Sequence, residues 1–311
     1  MAKSVFNAPQ FQNEAAAFEY VESKLWPDGP FCPHCGECEK IGRLTGKSTR
    51  VGLRKCYACK GHFTVRMGSI FESSHLPLHL WLQVIHLMCA SKKGISTHQI
   101  QRMLDCSMKT AWFLGHRIRK AMRPADLSPM GGSGTPVEVD EIFFGKKEGA
   151  EVKRGYAHKN AILTLVERRV AARSFHVEGI KKEDLMPIVR ANISREVHLT
   201  TDEAAHYTKV GKEFAGHGVV DHSREEYAYH DRAIGTLITT NTAEGFFSIF
   251  KRGMIGIYQH CEKQHLHRYL AEFDFRYSYR IKTGYDDIAR ADHALLGVKG
   301  KRLTYETTAP S

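Results

Sequence analysis

The sequence has no long hydrophobic run. No stretch approaches the roughly 18 apolar residues that a membrane-spanning helix requires, so we expect no membrane association. The first ten residues, Met1 to Gln10, lack the apolar core of a secretory signal peptide, and we therefore expect a protein that is not secreted. Eight cysteines in 311 residues are also too few for a disulfide scaffold.

The composition is that of a globular protein with an uneven distribution of charge. Hydrophobic residues make up 42% and charged residues 25%, which excludes disordered and collagen-like chains. A length of 311 residues suggests two or three domains. Residues 1–125 contain 18 basic and 8 acidic side chains, whereas residues 126–311 contain 27 and 26. This split favours a nucleic-acid-binding module joined to an electrically neutral domain.

Two pairs of cysteines have the spacing of zinc ligands. Cys32 and Cys35 form one C-x2-C pair, Cys56 and Cys59 form the other, and twenty residues separate the pairs. Each short knuckle can present two thiolates to one ion, and the alternatives are four unrelated thiols or two redox pairs. We expect a structural zinc, because four thiolates leave no open coordination position. The remaining cysteines have no such spacing and are expected to be buried thiols: Cys38, Cys89, Cys106 and Cys261.

The residues around these cysteines suggest a small basic domain. Apolar residues recur every three or four positions from Phe11 to Leu25, which predicts one amphipathic helix that ends at the turn Trp26-Pro27-Asp28-Gly29. The segment from Lys40 to Arg66 carries eight basic residues and no acidic one, and its alternation predicts the short antiparallel strands of a zinc ribbon. The charge is either a DNA contact or an ordinary solvated face.

Helices are predicted to follow the ribbon. Leu78 to Ala90 reads as a buried helix, and the S-x-x-Q pattern at Ser96 predicts a capped helix with Ile100, Met103 and Leu104 facing inward. After a break at Asp105-Cys106-Ser107, a basic helix is predicted from Met108 to Met122. Such a pair predicts a helix-turn-helix, in which Lys109 and Arg117 are candidate DNA contacts; the alternative is a helical hairpin that packs on the next domain.

A linker rich in Pro, Gly and Ser, from Pro124 to Pro136, separates this region from an alternation of strands and helices. The predicted strands are 136–145, 161–167, 170–177, 196–200 and 218–220, and the predicted helices are 181–192, 243–251 and 263–280. The order is that of a mixed α/β domain.

Three carboxylates stand where this order would bring them together. Asp140 lies in the first strand, Asp202 closes a later strand, and Glu244 lies in the first turn of the helix that follows. Crowded carboxylates repel one another, so the arrangement is costly unless a cation occupies it. Oxygen ligands select Mg²⁺ or Mn²⁺. A pair of such ions can activate a water or 3′-hydroxyl and stabilise the leaving oxygen in phosphoryl transfer.

Each carboxylate also has a structural alternative. Asp202 could cap a helix that begins near Glu203, and Asn241 with Glu244 could form an N-x-x-E cap. Glu138 and Glu141 are other strand carboxylates, although Glu141 should face away from Asp140 on a pleated strand.

Further motifs show that the chain resembles the DDE transposases of bacterial insertion sequences, in the zinc-ribbon-bearing group named after the ISXO-two element. The resemblance covers nearly the whole chain. It is carried by Trp26-Pro27-Asp28-Gly29 before Cys32-Pro33-His34-Cys35-Gly36, Gly68-Ser69-Ile70-Phe71-Glu72 with Leu78 and Trp81, Val139-Asp140-Glu141, His222-Ser223-x-x-Glu226-Tyr227, Asn241-x-x-Glu244-x-Phe246 with Lys251-Arg252-Gly253, Gly256-x-Tyr258-x-His260, His265-Leu266, Arg268-Tyr269-Leu270, and Glu272-Phe273-x-Phe275-Arg276-Tyr277.

The resemblance implies an α/β fold: a ribonuclease-H-like catalytic domain preceded by a zinc ribbon and a helix-turn-helix. The expected domains are 1–75 for the N-terminal helix and ribbon, 76–125 for the helix-turn-helix-like region, and 136–290 for the catalytic domain. Asp140, Asp202 and a third residue would hold the catalytic metal ions.

The third residue is Glu or Asn in this group, which leaves Glu244 and Asn241 as candidates. We favour Glu244, because Lys251 follows seven residues later on the same helical face, where such enzymes often place a basic residue for the DNA end. Arg252 and His260 are further candidate DNA contacts, and His222 also matches the family pattern.

The function predicted from the sequence is a transposase. It would bind the terminal inverted repeats of an insertion sequence and catalyse Mg²⁺-dependent cleavage and strand transfer of double-stranded DNA, as a homo-oligomer on DNA in the cytoplasm, associated with the nucleoid. A DNA-binding regulator derived from a transposase, without cleavage activity, is the alternative. A ribonuclease-H-like nuclease without transfer activity is a third possibility.

Overall fold

The computed structural model describes residues 4–125, 127–152, 154–204, 207, 211–225, 227–232 and 235–304. Glu226, one residue of the family pattern, lies outside these ranges. The chain forms two compact units, one from residues 1–124 together with 286–311 and the other from residues 125–285. We call them the N-terminal unit and the C-terminal unit.

The elements are numbered in chain order. The helices are α1 (Pro9–Gln12), α2 (Glu14–Leu25), α3 (Leu78–Ala90), α4 (Thr97–Leu104), α5 (Met108–Met122), α6 (Lys182–Asn192), α7 (Asn241–Gly253), α8 (Lys263–Ser278) and α9 (Asp287–Leu296). The strands are β1 (Ile41–Arg43), β2 (Arg54–Cys56), β3 (His62–Phe63), β4 (Val137–Phe144), β5 (Asn160–Glu167), β6 (Ala171–Val177), β7 (His198–Asp202), β8 (Gly216–Val220), β9 (Ala228–Asp231) and β10 (Thr236–Thr239). Among the described helices, none is long and apolar enough to cross a membrane.

The N-terminal unit begins with a helix that is interrupted rather than continuous. The single helix predicted from Phe11 to Leu25 is two helices, α1 and α2, with a break at Asn13. The Asn13 side chain accepts a hydrogen bond from the backbone N–H of Ala16, 3.1 Å away, and so caps α2. The periodic apolar pattern missed this break because it continues across it, with Phe11 buried before the break and Phe18 buried after it.

The predicted strands of the ribbon are present. β1, β2 and β3 form an antiparallel sheet in that order, with Ile41 opposite Cys56 and Arg54 opposite Phe63. Phe63 is buried between this sheet and Trp26, whose ring it meets edge to face.

The helical pair α4 and α5 matches the predicted bounds. Ser96 and Gln99 form the expected capping box, and the break follows from Asp105, whose φ of 48° is left-handed and ends α4. Ile100 faces inward as predicted, but Met103 does not, since it is 56% exposed. Its position on the outer side of α4 shows that the apolar pattern of a short helix does not fix every side chain.

The last helix, α9, returns to the N-terminal unit. It packs on α2, α3 and α5. The Asp292 carboxylate accepts hydrogen bonds from Tyr20 and from Lys24, the latter at 2.6 Å. Arg290 donates to the Cys89 carbonyl at 2.7 Å. Residue 290, the expected end of the catalytic domain, therefore lies within a helix of the N-terminal unit.

The C-terminal unit is built on a five-stranded mixed sheet in the order β6-β5-β4-β7-β8. β4, β5 and β6 are antiparallel neighbours, whereas β7 is parallel to β4 and β8 is parallel to β7. The predicted mixed α/β character is thus confirmed. The carboxyl ends of β4, β7 and β8 all lie at one edge of the sheet.

Alternate residues of β4 face two different helical layers, as the two-residue period of a strand requires. Val137 and Val139 lie in a core with α6, and Ile142 and Phe144 lie in a second core with α7 and α8. Because both faces are covered, β5 is buried along its whole length.

The start of α7 is fixed to the sheet by a buried carboxylate. Glu138 of β4 is fully buried and accepts hydrogen bonds from the backbone N–H groups of Thr242 and Ala243, both at 2.9 Å. It also accepts from the Thr242 hydroxyl and from Nε of Arg168, at 2.7 and 2.5 Å. Arg168 in turn donates to the Leu237 and Thr239 carbonyls of β10. Strand β4, the β5–β6 turn, β10 and α7 are joined at this point.

The hairpin of β9 and β10 was not predicted from the sequence. Its strands pair antiparallel with Thr236 opposite Asp231, and it directly precedes α7. These strands are only four residues each, and Ile238 is the only buried apolar side chain in them, so they carry almost no hydrophobic pattern.

We expect Glu138→Gln to lower the free energy of unfolding of the C-terminal unit by about 3–5 kcal/mol, because it removes the fully buried charge that pairs with the half-buried Arg168 guanidinium. All three tryptophans (Trp26, Trp81 and Trp112) lie in the N-terminal unit. The unfolding of the C-terminal unit is therefore best followed by hydrogen exchange of peptides from β4 and β5.

The matched control is Glu178→Gln, which removes the same charge from an exposed ion pair with Lys263. Exposed pairs contribute less than about 1 kcal/mol, so this variant should exchange like the parent protein. Equal effects of the two substitutions would contradict the anchoring role of Glu138.

Candidate active site and zinc site

Asp140 and Asp202 occupy adjacent strands at the same edge of the sheet. The parallel register of β4 and β7 sets Glu138 opposite Thr200. Asp140 and Asp202 each lie two residues further along their strands, so both come at the carboxyl-terminal part of neighbouring parallel strands.

Glu244 approaches these carboxylates from α7. It lies in the first turn of the helix that Glu138 anchors, and Glu138 and Asp140, two residues apart, point to the same face of β4. The electrostatics show the proximity. Burial, followed by the negative charges of Glu141, Asp202 and Glu244, raises the pKa of Asp140 to about 8. Asp140 is therefore a carboxyl group that the metal-free protein holds protonated at neutral pH.

The three carboxylates differ in their other contacts. Asp140 Oδ1 accepts from the backbone N–H of Glu141 at 2.7 Å, and Asp202 Oδ1 accepts from that of Ala204 at 3.1 Å. The Glu244 side chain is half exposed, with Oε1 lying 3.6 Å from Nε2 of His222. His222 also lies within 3.3 Å of the Thr240 hydroxyl. His222, which the sequence offered only through the family pattern, is thus next to the third carboxylate.

The structural alternative for Glu244 is not realised. Asn241 is the first helical residue rather than the cap, and Thr240, at the cap position, makes no side-chain capping bond. The N–H groups at the start of α7 are instead bound by Glu138. No capping role therefore accounts for Glu244.

The donor set fits a hard divalent cation. All three groups offer carboxylate oxygens, which Mg²⁺ and Mn²⁺ prefer, and a cation would relieve the repulsion that raises the pKa of Asp140. The oxygens of the three side chains are not all within 4.8 Å of one another, since the only described group that close is the four cysteines. Asp140, Asp202 and Glu244 are the residues that would hold such a cation.

Glu141 belongs to the opposite face of β4, as expected from the pleat. The fully buried Tyr207 donates a hydrogen bond to its carboxylate. Burial and the charge of Glu141 raise the pKa of the Tyr207 hydroxyl well above its usual value, which keeps it a hydrogen-bond donor. Tyr207 belongs to the core beneath α6. Sequence reasoning gave no sign of it, because a lone tyrosine in a loop has no distinguishing pattern.

The candidate DNA contacts near α7 are on its outer side. Lys251 is exposed near the end of α7, about 10 Å along the helix axis from Glu244 at 1.5 Å per residue. The Arg252 guanidinium is exposed and donates back to the Ser248 carbonyl and hydroxyl, at 3.0 and 2.5 Å. His260 is exposed after the π-helical segment Met254–Tyr258.

The two candidate contacts on α5 differ in position. Lys109 is exposed in the first turn. Arg117 is only 5% exposed; its guanidinium donates to the Glu72 carbonyl and lies over the rings of Trp81 and Phe113. Tertiary packing therefore covers Arg117, whereas Lys109 is accessible.

The four cysteines of the N-terminal unit form a cluster of the geometry that zinc requires. Their sulfur atoms all lie within 4.8 Å of one another, with 3.6 Å between Cys32 and Cys59 and 3.7 Å between Cys35 and Cys56. A tetrahedron with Zn–S bonds of about 2.3 Å has edges of about 3.8 Å, so the thiolates fit a zinc ion.

Glycines permit the two knuckles. Gly36 has a φ of +79°, a conformation that favours glycine. A side chain at Gly61 would stand 2.8 Å from the His34 ring and 3.3 Å from the Cys59 sulfur. Of the other cysteines, only Cys89 is buried as expected; Cys38 is exposed, and Cys106 and Cys261 are half-buried.

Comparisons with known proteins agree with this architecture. The profile of a family described as ISXO2-like transposase domain matches residues 131–278, and that of a transposase zinc-ribbon domain matches residues 12–62. The chain is 26% identical over 179 residues to a protein of Halobacterium salinarum described as an uncharacterized protein in transposable element ISH50. That alignment covers 57% of this chain and 54% of the relative, so the chain spans about half the length of the curated relative that it matches.

We expect about one zinc per chain by elemental analysis of the purified protein, and a loss of that zinc in Cys35→Ser, because a three-thiolate site binds the ion less tightly. Cys38→Ser is the matched control, since Cys38 lies three residues further on but outside the cluster. Zinc-free parent protein from metal-replete medium would contradict the assignment.

The raised pKa of Asp140 predicts a specific dependence of stability on pH. The folded pKa of about 8 exceeds the unfolded value of about 3.9, so between these values folding takes up a proton and the stability falls as the pH rises. Asp140→Asn is neutral at every pH. In buffer without Mg²⁺ or Mn²⁺, the free energy of unfolding of Asp140→Asn should therefore rise relative to that of the parent protein from pH 5 to pH 8, by on the order of 1.4 kcal/mol per pH unit.

Hydrogen exchange of β4 peptides measures this difference. Glu148→Gln, in the exposed loop after β4, is the control and should show no such trend. A stability difference for Asp140→Asn that is constant across the pH range would refute the assignment.

Proposed function

Since the chain belongs to the ISXO2-like, zinc-ribbon-bearing family of insertion-sequence transposases, we propose that it binds the terminal inverted repeats of such an element and catalyses Mg²⁺-dependent DNA cleavage and strand transfer. The observation that carries the proposal is the convergence of Asp140, Asp202 and Glu244 from two parallel strands and one helix, with the buried Asp140 under the repulsion of the other carboxylates.

The chemistry assigned to this site is phosphoryl transfer. Bound Mg²⁺ or Mn²⁺ ions would supply activation of a water or 3′-hydroxyl and stabilisation of the departing oxygen. The role of the protein is to hold the metal ligands at fixed positions. Glu138 does this for Glu244 by anchoring α7. His222, 3.6 Å from Glu244, limits the orientations of that half-exposed carboxylate.

The sheet supports a ribonuclease-H-like fold for the catalytic domain. Numbered within the sheet, its strands run 3-2-1-4-5, with the first three antiparallel and the last two parallel to the first. The first and fourth strands then carry the first two carboxylates, which agrees with the role that the resemblance gives to Asp140 and Asp202.

The N-terminal unit is proposed to hold the DNA. Its ribbon carries the run of basic residues from Lys40 to Arg66, and α4 and α5 are proposed to act as a helix-turn-helix in which Lys109, in the exposed first turn of α5, contacts the DNA. We also propose a homo-oligomer on DNA, since each element has two ends, and action at the nucleoid, where the DNA substrate lies.

We expect Asp140→Asn, Asp202→Asn and Glu244→Gln to abolish nicking of element-end DNA in Mg²⁺ while leaving end binding intact. Removing one ligand displaces an ion that must stabilise transferring oxygens, and effects of this kind usually amount to several kcal/mol, or more than a hundredfold in rate. The measurement is 3′-end nicking and joining on a labelled duplex, with binding followed on the same duplex by gel shift.

Two further variants complete this experiment. Asn241→Ala separates the candidates for the third residue: if it abolishes nicking and Glu244→Gln does not, Asn241 is the ligand. Lys251→Ala should weaken positioning of the DNA end while metal binding persists. Binding without nicking by the parent protein would favour the regulator, and normal nicking by all the carboxylate variants would refute the mechanism.

A further inference from the structure

The N-terminal unit contains a cavity of about 540 Å³ beside the first turn of α5, which we call the Arg117 pocket. Leu76, Pro77 and Phe113 give it a mostly apolar wall, and Arg117 and Lys109 border it as cations. The volume lies in the range of sites for small organic ligands. Nothing in the proposed cleavage mechanism uses this space.

Arg117 is a buried cation that forms no ion pair with any described residue. Its side chain is 95% buried, its Nε has no hydrogen-bond partner in the described part of the chain, and its only hydrogen bond goes to the Glu72 carbonyl. No described carboxylate forms an ion pair with it. Buried arginines are normally paired, because an unpaired buried charge is costly. This one is held by the Glu72 carbonyl and by the faces of Trp81 and Phe113, none of which carries a negative charge.

The surroundings of Arg117 add positive charge. Burial, followed by the charges of Arg66 and Arg302, lowers the pKa of Arg117 to about 10. The negative charge of Glu72 counteracts this lowering of the Arg117 pKa. The Glu72 carboxylate, however, accepts a hydrogen bond from the Gly68 N–H at 2.8 Å and pairs with Arg302 at 3.4 Å. The local field at the pocket is therefore positive and suits an anion.

The rim of the pocket carries backbone strain. Ser73 has a φ of +58°, in the left-handed region that residues other than glycine rarely adopt. Strained residues of this kind are frequent at ligand sites. Ser73 begins the loop whose carbonyls at Ser74 and Leu76 also bind Arg66, at 2.5 and 3.0 Å, so the loop is held between two arginines.

We propose that the Arg117 pocket binds one nucleotide of a DNA strand, with the phosphate toward Arg117 and Lys109 and the base against Phe113 and the apolar wall. A cation deep in an apolar cavity matches the two halves of a nucleotide, and aromatic side chains bind bases of any sequence by stacking. The choice of DNA as the source of the nucleotide rests on the proposed function. The pocket opens beside the turn of α5 that carries Lys109, where a bound strand would pass.

The test is ligand-observed NMR with the full-length, zinc-loaded chain and no added Mg²⁺. The probes are thymidine 5′-monophosphate, thymidine and inorganic phosphate. The monophosphate should bind at least tenfold more tightly than either part alone, and Arg117→Met should weaken that binding at least tenfold. Arg102→Met is the matched control: this exposed arginine of α4 is outside the pocket, and its loss should change nothing.

Arg117→Met could fail to fold, which its zinc content and circular dichroism would show. In that case Lys109→Ala, at the exposed rim, is the test variant, and we expect it to lower the affinity for the monophosphate threefold or more. The proposal is overturned if the monophosphate binds no better than phosphate or thymidine, or if a folded Arg117→Met or Lys109→Ala binds like the parent. The binding assay needs neither element DNA nor cleavage, so the two proposals can fail separately. Protein that nicks DNA but binds no nucleotide refutes only the nucleotide-binding role of the pocket. Protein that binds the nucleotide but never nicks DNA refutes only the proposed transposase function.

Discussion

The buried pair of Glu138 and Arg168 is the interaction on which the candidate active site depends. One carboxylate closes the N-terminus of α7, where unpaired N–H groups and the helix dipole both favour negative charge. The guanidinium that neutralises it also binds two carbonyls of β10. Because Glu244 lies in the first turn of α7, its distance from Asp140 is set by this junction rather than by any contact between the two acids.

Glu138 and Asp140 have opposite electrostatic environments although they lie two residues apart on one face of β4. Glu138 has a cation and three further donors around its carboxylate. Asp140 accepts one local backbone hydrogen bond and otherwise faces the negative charges of Glu141, Asp202 and Glu244. The fold thus compensates the carboxylate that it needs for structure and leaves the other uncompensated, which is the condition for a site that takes up cations.

Much of this arrangement could be predicted from the sequence, and the exceptions share a physical cause. The bounds of α3, α5, β4 and β5 follow from local sequence patterns, and the zinc ligands follow from spacing. The roles of Glu138 and Arg117 do not, because a strand glutamate and a helix arginine look alike in sequence whether they face solvent or a neighbouring element. Only tertiary packing decides between an exposed contact and a buried one.

The N-terminal unit also contains a helix, α9, that lies far from the rest of the unit in the sequence. Most of the unit's basic residues precede residue 125, but α9, which packs on α2, α3 and α5, follows the whole C-terminal unit in the sequence. Asp292 accepts hydrogen bonds from Tyr20 and Lys24, and Arg290 binds the Cys89 carbonyl at the end of α3. A fragment that stops at residue 125 would expose the apolar surface that α9 covers and leave these groups without their partners. The unit that carries the ribbon and the helical pair is therefore defined by both ends of the chain, and sequence proximity alone understates its extent.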